Sequence, residues 1–146
     1  MLYAILCYAH EETVFAWSKE EEAAVMERLY AVQEPLAKAG RLGPVGRLMP
    51  TTAATTVRKG RPQAGAKDEA LVLDGPFAET KEVLLGFYTA EFDGLDDAVA
   101  FAKDLSAVNP GSSSYEIRPF HVFHPGEITA GDDRTADNRL GEGGSP

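Results

Sequence analysis

The stretch LYAILCY, residues 2–8, is apolar on both of its alternating sets: Leu2, Ala4, Leu6 and Tyr8 on one, Tyr3, Ile5 and Cys7 on the other. A strand with one face in water alternates apolar with polar residues. One that is apolar on both sides lies inside a sheet with cover above and below. Whatever this chain folds into must therefore place the segment in the interior of a sheet and cover two faces. No apolar run approaches the ~20 residues that span a bilayer.

The next segment predicts a helix from Ser18. Glu21 stands three residues on, which makes a capping box, and Glu20–Glu22 lie where the helix dipole favours negative charge. Val25, Leu29, Val32 and Leu36 form one apolar stripe, and Gly40 is the expected stop. Pro35 lacks a helical donor and crowds the preceding turn, so a kink or break is expected there. RLGPVGRLM (41–49) reads as an extended segment punctuated by Gly and Pro. TTAATTVRKG (51–60) reads as a strand, GRPQAGAKD as a turn or loop, and EALVLDG as the returning strand, the pair forming a hairpin. LLGFYTAEF (84–92) is a further strand, with Phe87, Thr89 and Glu91 opposite Tyr88, Ala90 and Phe92. Asp96 and Asp97 open a second helix with Leu95, Ala98, Val99, Ala102 and Leu105 inward; NPGSSS ends it, and YEIRPFHVF (115–123) is the last strand.

This order predicts an α+β fold: a ferredoxin-like βαββαβ core, an antiparallel sheet with helices on one face, and an added hairpin. The other face needs cover, and a second copy of the chain is the simplest source, so a homodimer is expected. Residues 1–124 form the expected domain. Residues 125–146, rich in Gly and Asp and poor in large apolar side chains, are expected to be a flexible acidic tail.

Charge and cysteine usage narrow the function classes. The chain has 23 acidic and 14 basic side chains among 146 residues, a net charge of −9. Such a surface repels phosphate backbones, and no Lys/Arg cluster opposes it, so no nucleic-acid partner is expected. Cys7 is the single cysteine, which precludes an intrachain disulfide and suits a reducing cytoplasm. The N-terminus lacks the basic region and cleavage signal of a secretory leader. A cytoplasmic protein without a membrane partner is expected.

TTAATTVR, LDGPFAETKE, GFYTAEFDGLDDAVAFA and YEIRPF occur in this order, and together they resemble the DGPF family of YCII-related proteins, from about Leu2 to Phe120. The resemblance implies a dimeric α+β barrel. It also implies a signalling setting, since some DGPF proteins are encoded beside, or fused to, extracytoplasmic-function sigma factors. The wider YCII group carries a proposed catalytic His–Asp pair, the His on the first helix. The helix that begins at Ser18 contains no His, and Asn109-Pro110 stands where an Asp-Pro is common, so neither member of the pair is present at its matching place.

The residues that could carry chemistry gather around LDGPFAETKE (73–82). Asp74 has two readings: a turn residue whose carboxylate accepts backbone N–H groups, or a carboxylate aimed into a cleft as ligand or general base. Phe77 is expected to anchor the loop in the core. Glu79, Lys81 and Glu82 are either a solvated charged loop or the polar lining of a pocket. Arg118, on the face shared with Glu116, is expected to pair with Asp74, Glu79 or Glu82, or else to hold an anionic ligand. His10, followed by Glu11 and Glu12, is placed at a cleft mouth. His121 and His124 point to opposite faces and do not converge on a metal. Asp74 and His10 are thus the catalytic candidates, and Asp74, Glu79, Lys81 and Arg118 the ligand-binding candidates, with no metal or cofactor expected. The leading expectation is a module that binds a small ligand or a sigma-factor-related protein partner. The alternative is a small enzyme using acid–base chemistry at the DGPF loop on an anionic metabolite.

Overall fold

The computed structural model describes residues 1–60 and 70–128. Its elements are β1 (Leu2–Ala9), α1 (Glu11–Phe15), α2 (Lys19–Lys38), β2 (Leu42–Arg47), β3 (Thr55–Lys59), β4 (Ala70–Asp74), β5 (Val83–Glu91), α3 (Leu95–Val108) and β6 (Ser113–Pro119). β2, β5, β1 and β6 lie side by side in that order, every described pairing antiparallel. This is the ferredoxin-like arrangement. β3 and β4 form a separate two-stranded hairpin.

The two-sided β1 sits where its composition requires, between β5 and β6. Tyr3 and Ile5 face the helices in a core with Tyr88, Ala90, Phe92, Ala98, Phe101 and Leu105. The apolar stripe of α2 packs there through Leu29, Val32 and Leu36. The inward face of α3 departs from expectation at two places: Leu95 is exposed, while Phe101 enters the core with its ring edge-on to Tyr88 at 5.8 Å. The other face of the sheet carries Leu2, Ala4 and Leu6 on β1. Thr89 and Phe87 stand beside Ala4 and Leu6 on β5, and Arg118 and Glu116 beside them on β6. Leu2, Ala4, Leu6 and Phe87 remain only half-buried.

The ends of α2 follow their local chemistry. The Glu21 backbone N–H donates to Ser18 Oγ at 3.1 Å, and the Ser18 N–H donates to Glu21 Oε2 at 2.9 Å, which closes the capping box. Gly40, at φ +68°, ends the helix, with Arg41 N–H donating to the Leu36 carbonyl at 2.9 Å and Gly40 N–H to that of Ala37 at 3.1 Å. The expected break at Pro35 does not occur, and the helix continues to Lys38. Only about one turn follows Pro35, so the missing donor removes a single helical bond next to an end that is already tied off.

Three other boundaries differ from the sequence reading. Thr51–Ala53 make a 3-10 turn before β3 instead of joining it. A short helix, α1, fills the space between β1 and the Ser18 cap. β6 stops at Pro119, because its one partner, β1, begins at Leu2, and only the Phe120 N–H bond to the Leu2 carbonyl extends the ladder. The expected tail lies outside the described residues except for 125–128, which carry no helix or strand. No described helix is long and apolar enough to cross a membrane.

Candidate functional site

Strand register assembles the site. Ala9, the last residue of β1, lies opposite Val83 of β5 on one side and Ser113 of β6 on the other. The residues just outside those pairs, His10, Glu82 and Ser112, are thereby gathered at one end of the sheet. An irregularity in the β1–β5 ladder helps to set this end: Cys7 lies opposite Gly86 but Tyr8 opposite Leu84, so Leu85 is the extra residue. Leu85 and Val83 pack with Ala9 and Val14 in a small core of their own beneath the site.

Above it opens a cleft of about 300 Å3 lined by His10, Glu11, Glu12, Thr80, Lys81 and Val83. Two nearby carboxylates are already engaged. Glu82 accepts from Ser112 Oγ through one oxygen and from Ser114 Oγ through the other, each at 2.7 Å. Glu11 accepts from Thr51 N–H at 2.9 Å and from Thr51 Oγ1 at 2.5 Å. Thr80 Oγ1 donates to the Glu82 carbonyl. Lys81, by contrast, makes no ion pair or hydrogen bond with the described residues, and the same holds for the His10 side chain and Glu12 apart from the electrostatic influence of His10 on Glu82.

These contacts favour the charged form of both carboxyls. The hydroxyls of Ser112 and Ser114, then the neighbouring His10, hold the Glu82 carboxyl below the usual carboxylate range; the two Thr51 bonds do the same for Glu11. A carboxyl lowered in the folded state contributes stability that is complete above its unfolded value of ~4.3. That contribution disappears as pH falls through the lower folded value. The double change Ser112→Ala with Ser114→Ala is therefore expected to move the Glu82 pKa up towards the ordinary value, read by carboxyl 13C titration. An unmoved titration would mean that the serines do not set it.

The structure gathers only part of the set expected from sequence. His10 and Lys81 line the cleft. Asp74 lies opposite Thr55 at the base of the hairpin, exposed, and makes no side-chain hydrogen bond or ion pair with the described residues. The turn that it was expected to brace is made by Gly75. With φ at +106°, a value suited to glycine, Gly75 donates its N–H to the Ala54 carbonyl at 2.8 Å, and its own carbonyl accepts from Thr56 Oγ1 at 2.7 Å. Glu79 is exposed and outside the cleft. Arg118 pairs with Glu116 on its own strand at 3.6 Å, not with the DGPF loop, because β6 is an edge strand beside β1. Phe77 does not anchor the loop in the core. It is 77% exposed beneath the Arg58 guanidinium, 5.6 Å from its ring centroid. No cluster of three potential metal ligands occurs among the described residues.

Ser112, Ser114 and Thr51, which orient the carboxylates, were absent from the sequence-derived set. The run NPGSSS signalled a helix end, and nothing local in it points to Glu82, 30 residues away from Ser112.

The sequence profile described as YCII-related domain matches residues 1–121. An uncharacterized protein of Rhizobium meliloti (strain 1021) is 56% identical over 128 residues, covering 88% of this chain and 98% of that one.

Proposed function

The chain belongs to the YCII-related domain family, and on that premise we propose that it is a dimeric binding module that takes a small anionic ligand in the cleft between His10 and Lys81. The observation that carries this reading is the division of labour in the cleft. Glu11 and Glu82 are held by hydroxyl and amide donors, while Lys81 and His10, with Glu12, line the opening with no hydrogen bond or ion pair to the described residues. The Lys81 ammonium and the His10 imidazole are the groups of the lining that suit a carboxylate or phosphate. The volume sits at the lower end of the ~300–1,000 Å3 range of ligand sites, so the ligand is a small metabolite rather than a nucleotide. The half-buried apolar residues Leu2, Ala4, Leu6 and Phe87 support the dimer, since a second copy covers them most simply. The sigma-factor association of some DGPF proteins supports a signalling setting, in which a sigma-factor-related protein reads the liganded state.

The enzyme reading rests on a different observation: His10 lies near a carboxylate, Glu82, that two serine hydroxyls orient. That is the base-and-orienter pattern of acid–base chemistry. In this reading His10 takes the proton-transfer role, because Asp74 lies outside the cleft.

Thermal shift with inorganic phosphate, acetate, citrate and a panel of small carboxylic acids tests the proposal. At least one is expected to raise the melting temperature, and Lys81→Gln to weaken its binding about tenfold, or ~1.4 kcal/mol. Binding unchanged by Lys81→Gln would remove the cleft as the site. Turnover of a bound acid, lost in His10→Gln but not in Asp74→Asn, would select the enzyme reading.

A further inference from the structure

The cleft holds two opposite charges that the fold leaves unused. Glu12, on α1, and Lys81, just before β5, both line it. They form no ion pair with each other, and neither makes a hydrogen bond or ion pair with any other described residue. The remaining carboxylates are occupied. Glu11 accepts from Thr51 through both oxygens, and Glu82, which borders the cleft, accepts from Ser112 and Ser114 through both of its own. Glu12 is thus the carboxylate of the lining whose acceptor capacity is open, and Lys81 is the ammonium whose donor capacity is open.

The charge balance disfavours a plain anion. Glu11, Glu12 and Glu82 stand against Lys81 and His10, so carboxylates outnumber cations even when the imidazole is protonated, and the whole chain carries −9. A ligand with negative charge alone gains Lys81 but meets this excess. One that also carries a cation offsets the repulsion and gives Glu12 a charge-assisted donor. We propose that the cleft takes a zwitterion: a free amino acid or short amino carboxylate, its carboxylate at Lys81 and His10 and its ammonium at Glu12. This inference rests on the cleft reading above and names the class of ligand within it.

The rest of the lining agrees. Val83 supplies apolar surface and is held in place by Ala9, Leu85 and Val14, which suits a short aliphatic spacer between the two charged groups. Thr80 Oγ1 donates to the Glu82 carbonyl, so its hydroxyl proton is already used, and Lys81 and His10 remain as the side-chain donors for the ligand's carboxylate. A cleft of about 300 Å3 has room for a molecule of this size. A dicarboxylic acid of equal length would instead set its second carboxylate against Glu12, a like-charge contact that selects against it. Because Glu12 and Lys81 belong to different elements, a zwitterion that reaches both ties α1 to the segment that leads into β5.

NMR titration of the full chain with matched pairs, glycine against acetate and γ-aminobutyrate against butyrate, tests this in wild type, Glu12→Gln and Lys81→Gln. The amino member of at least one pair is expected to bind about fivefold or more tightly than its plain acid, the effect of one charge-assisted contact at an open site. Glu12→Gln should erase that preference by weakening the amino member, and Lys81→Gln should weaken both members. Circular dichroism should be unchanged in both variants, because both side chains are exposed. Plain acids that bind as tightly as their amino partners in both pairs overturn the zwitterion and leave the anion reading standing. A preference that survives Glu12→Gln overturns the placement of the ammonium, and with it the proposal. Butylamine probes the opposite failure: if it binds as tightly as γ-aminobutyrate, and Lys81→Gln changes neither, the cleft is a cation site and both readings fall. No saturable shift at the cleft from any of these compounds overturns the zwitterion alone, since phosphate still tests the anion reading.

Discussion

Leu105→Ala is expected to lower the unfolding free energy by about 2–5 kcal/mol, the largest effect of any single change considered for this chain. Leu105 is fully buried on α3 and belongs to the cluster that joins that helix to β1 and β5. Truncation removes the transfer free energy of the buried atoms and leaves a cavity. The same cluster holds Ile5, also at 0% exposure, and the rings of Phe101 and Tyr88, which meet edge to face. Such a wall collapses poorly into a void, which favours the upper part of the range. Urea unfolding of wild type and variant checks this through the midpoint at constant slope. A loss below about 1 kcal/mol would mean that α3 packs on the sheet less tightly than described.

The second large effect is expected from Gly86→Ala. A Cβ at Gly86 would lie 2.6 Å from the Gly46 carbonyl oxygen and 3.5 Å from the Arg47 Cα. Both are backbone atoms of β2, so no side-chain rotation relieves the clash, and β2 must move away from β5. Overpacking of this kind costs about 1–3 kcal/mol. The position has a functional consequence too, because Gly86 borders the irregularity that sets Val83 opposite Ala9 and so brings Lys81 to His10. Gly86→Ala is therefore expected both to destabilise the fold and to weaken ligand binding. Hydrogen exchange should show faster opening of β2, beginning with the Leu48 amide that donates to the Leu85 carbonyl at 2.7 Å. Wild-type stability and exchange in this variant would contradict the packing.

Local chemistry made much of the fold legible in the sequence. Apolar residues on both sides of β1 specify an interior strand, and Ser18 with Glu21 specifies a helix start, because each signal is complete within a few residues. The stripe on α2, the Gly40 stop and the β3–β4 hairpin are of the same kind. The site was less legible, since its residues meet through strand order. Ser112 reaches Glu82 only because Ala9 has Val83 on one side and Ser113 on the other, and no local pattern encodes that pairing. Arg118 was expected at the DGPF loop, but β6 at the sheet edge leaves it with Glu116. Phe77 shows the limit of reading apolar as buried: the aromatic of LDGPFAETKE stands exposed in the single chain.

The answer to what LDGPFAETKE does is accordingly split along its length. Asp74, Gly75 and Phe77 belong to the hairpin base and its exposed surface, whereas Thr80, Lys81 and Glu82 belong to the cleft and its frame. The central claim is that the second half, with His10, binds a small anion. Its most direct test is an amide and imidazole NMR titration with the carboxylic acid or phosphate that gives the largest thermal shift. The account predicts saturable shifts at His10, Glu11, Thr80, Lys81 and Val83, with little at Asp74 or Arg118. Shifts centred on Asp74 or Arg118, or none at the cleft at saturating anion, would contradict it.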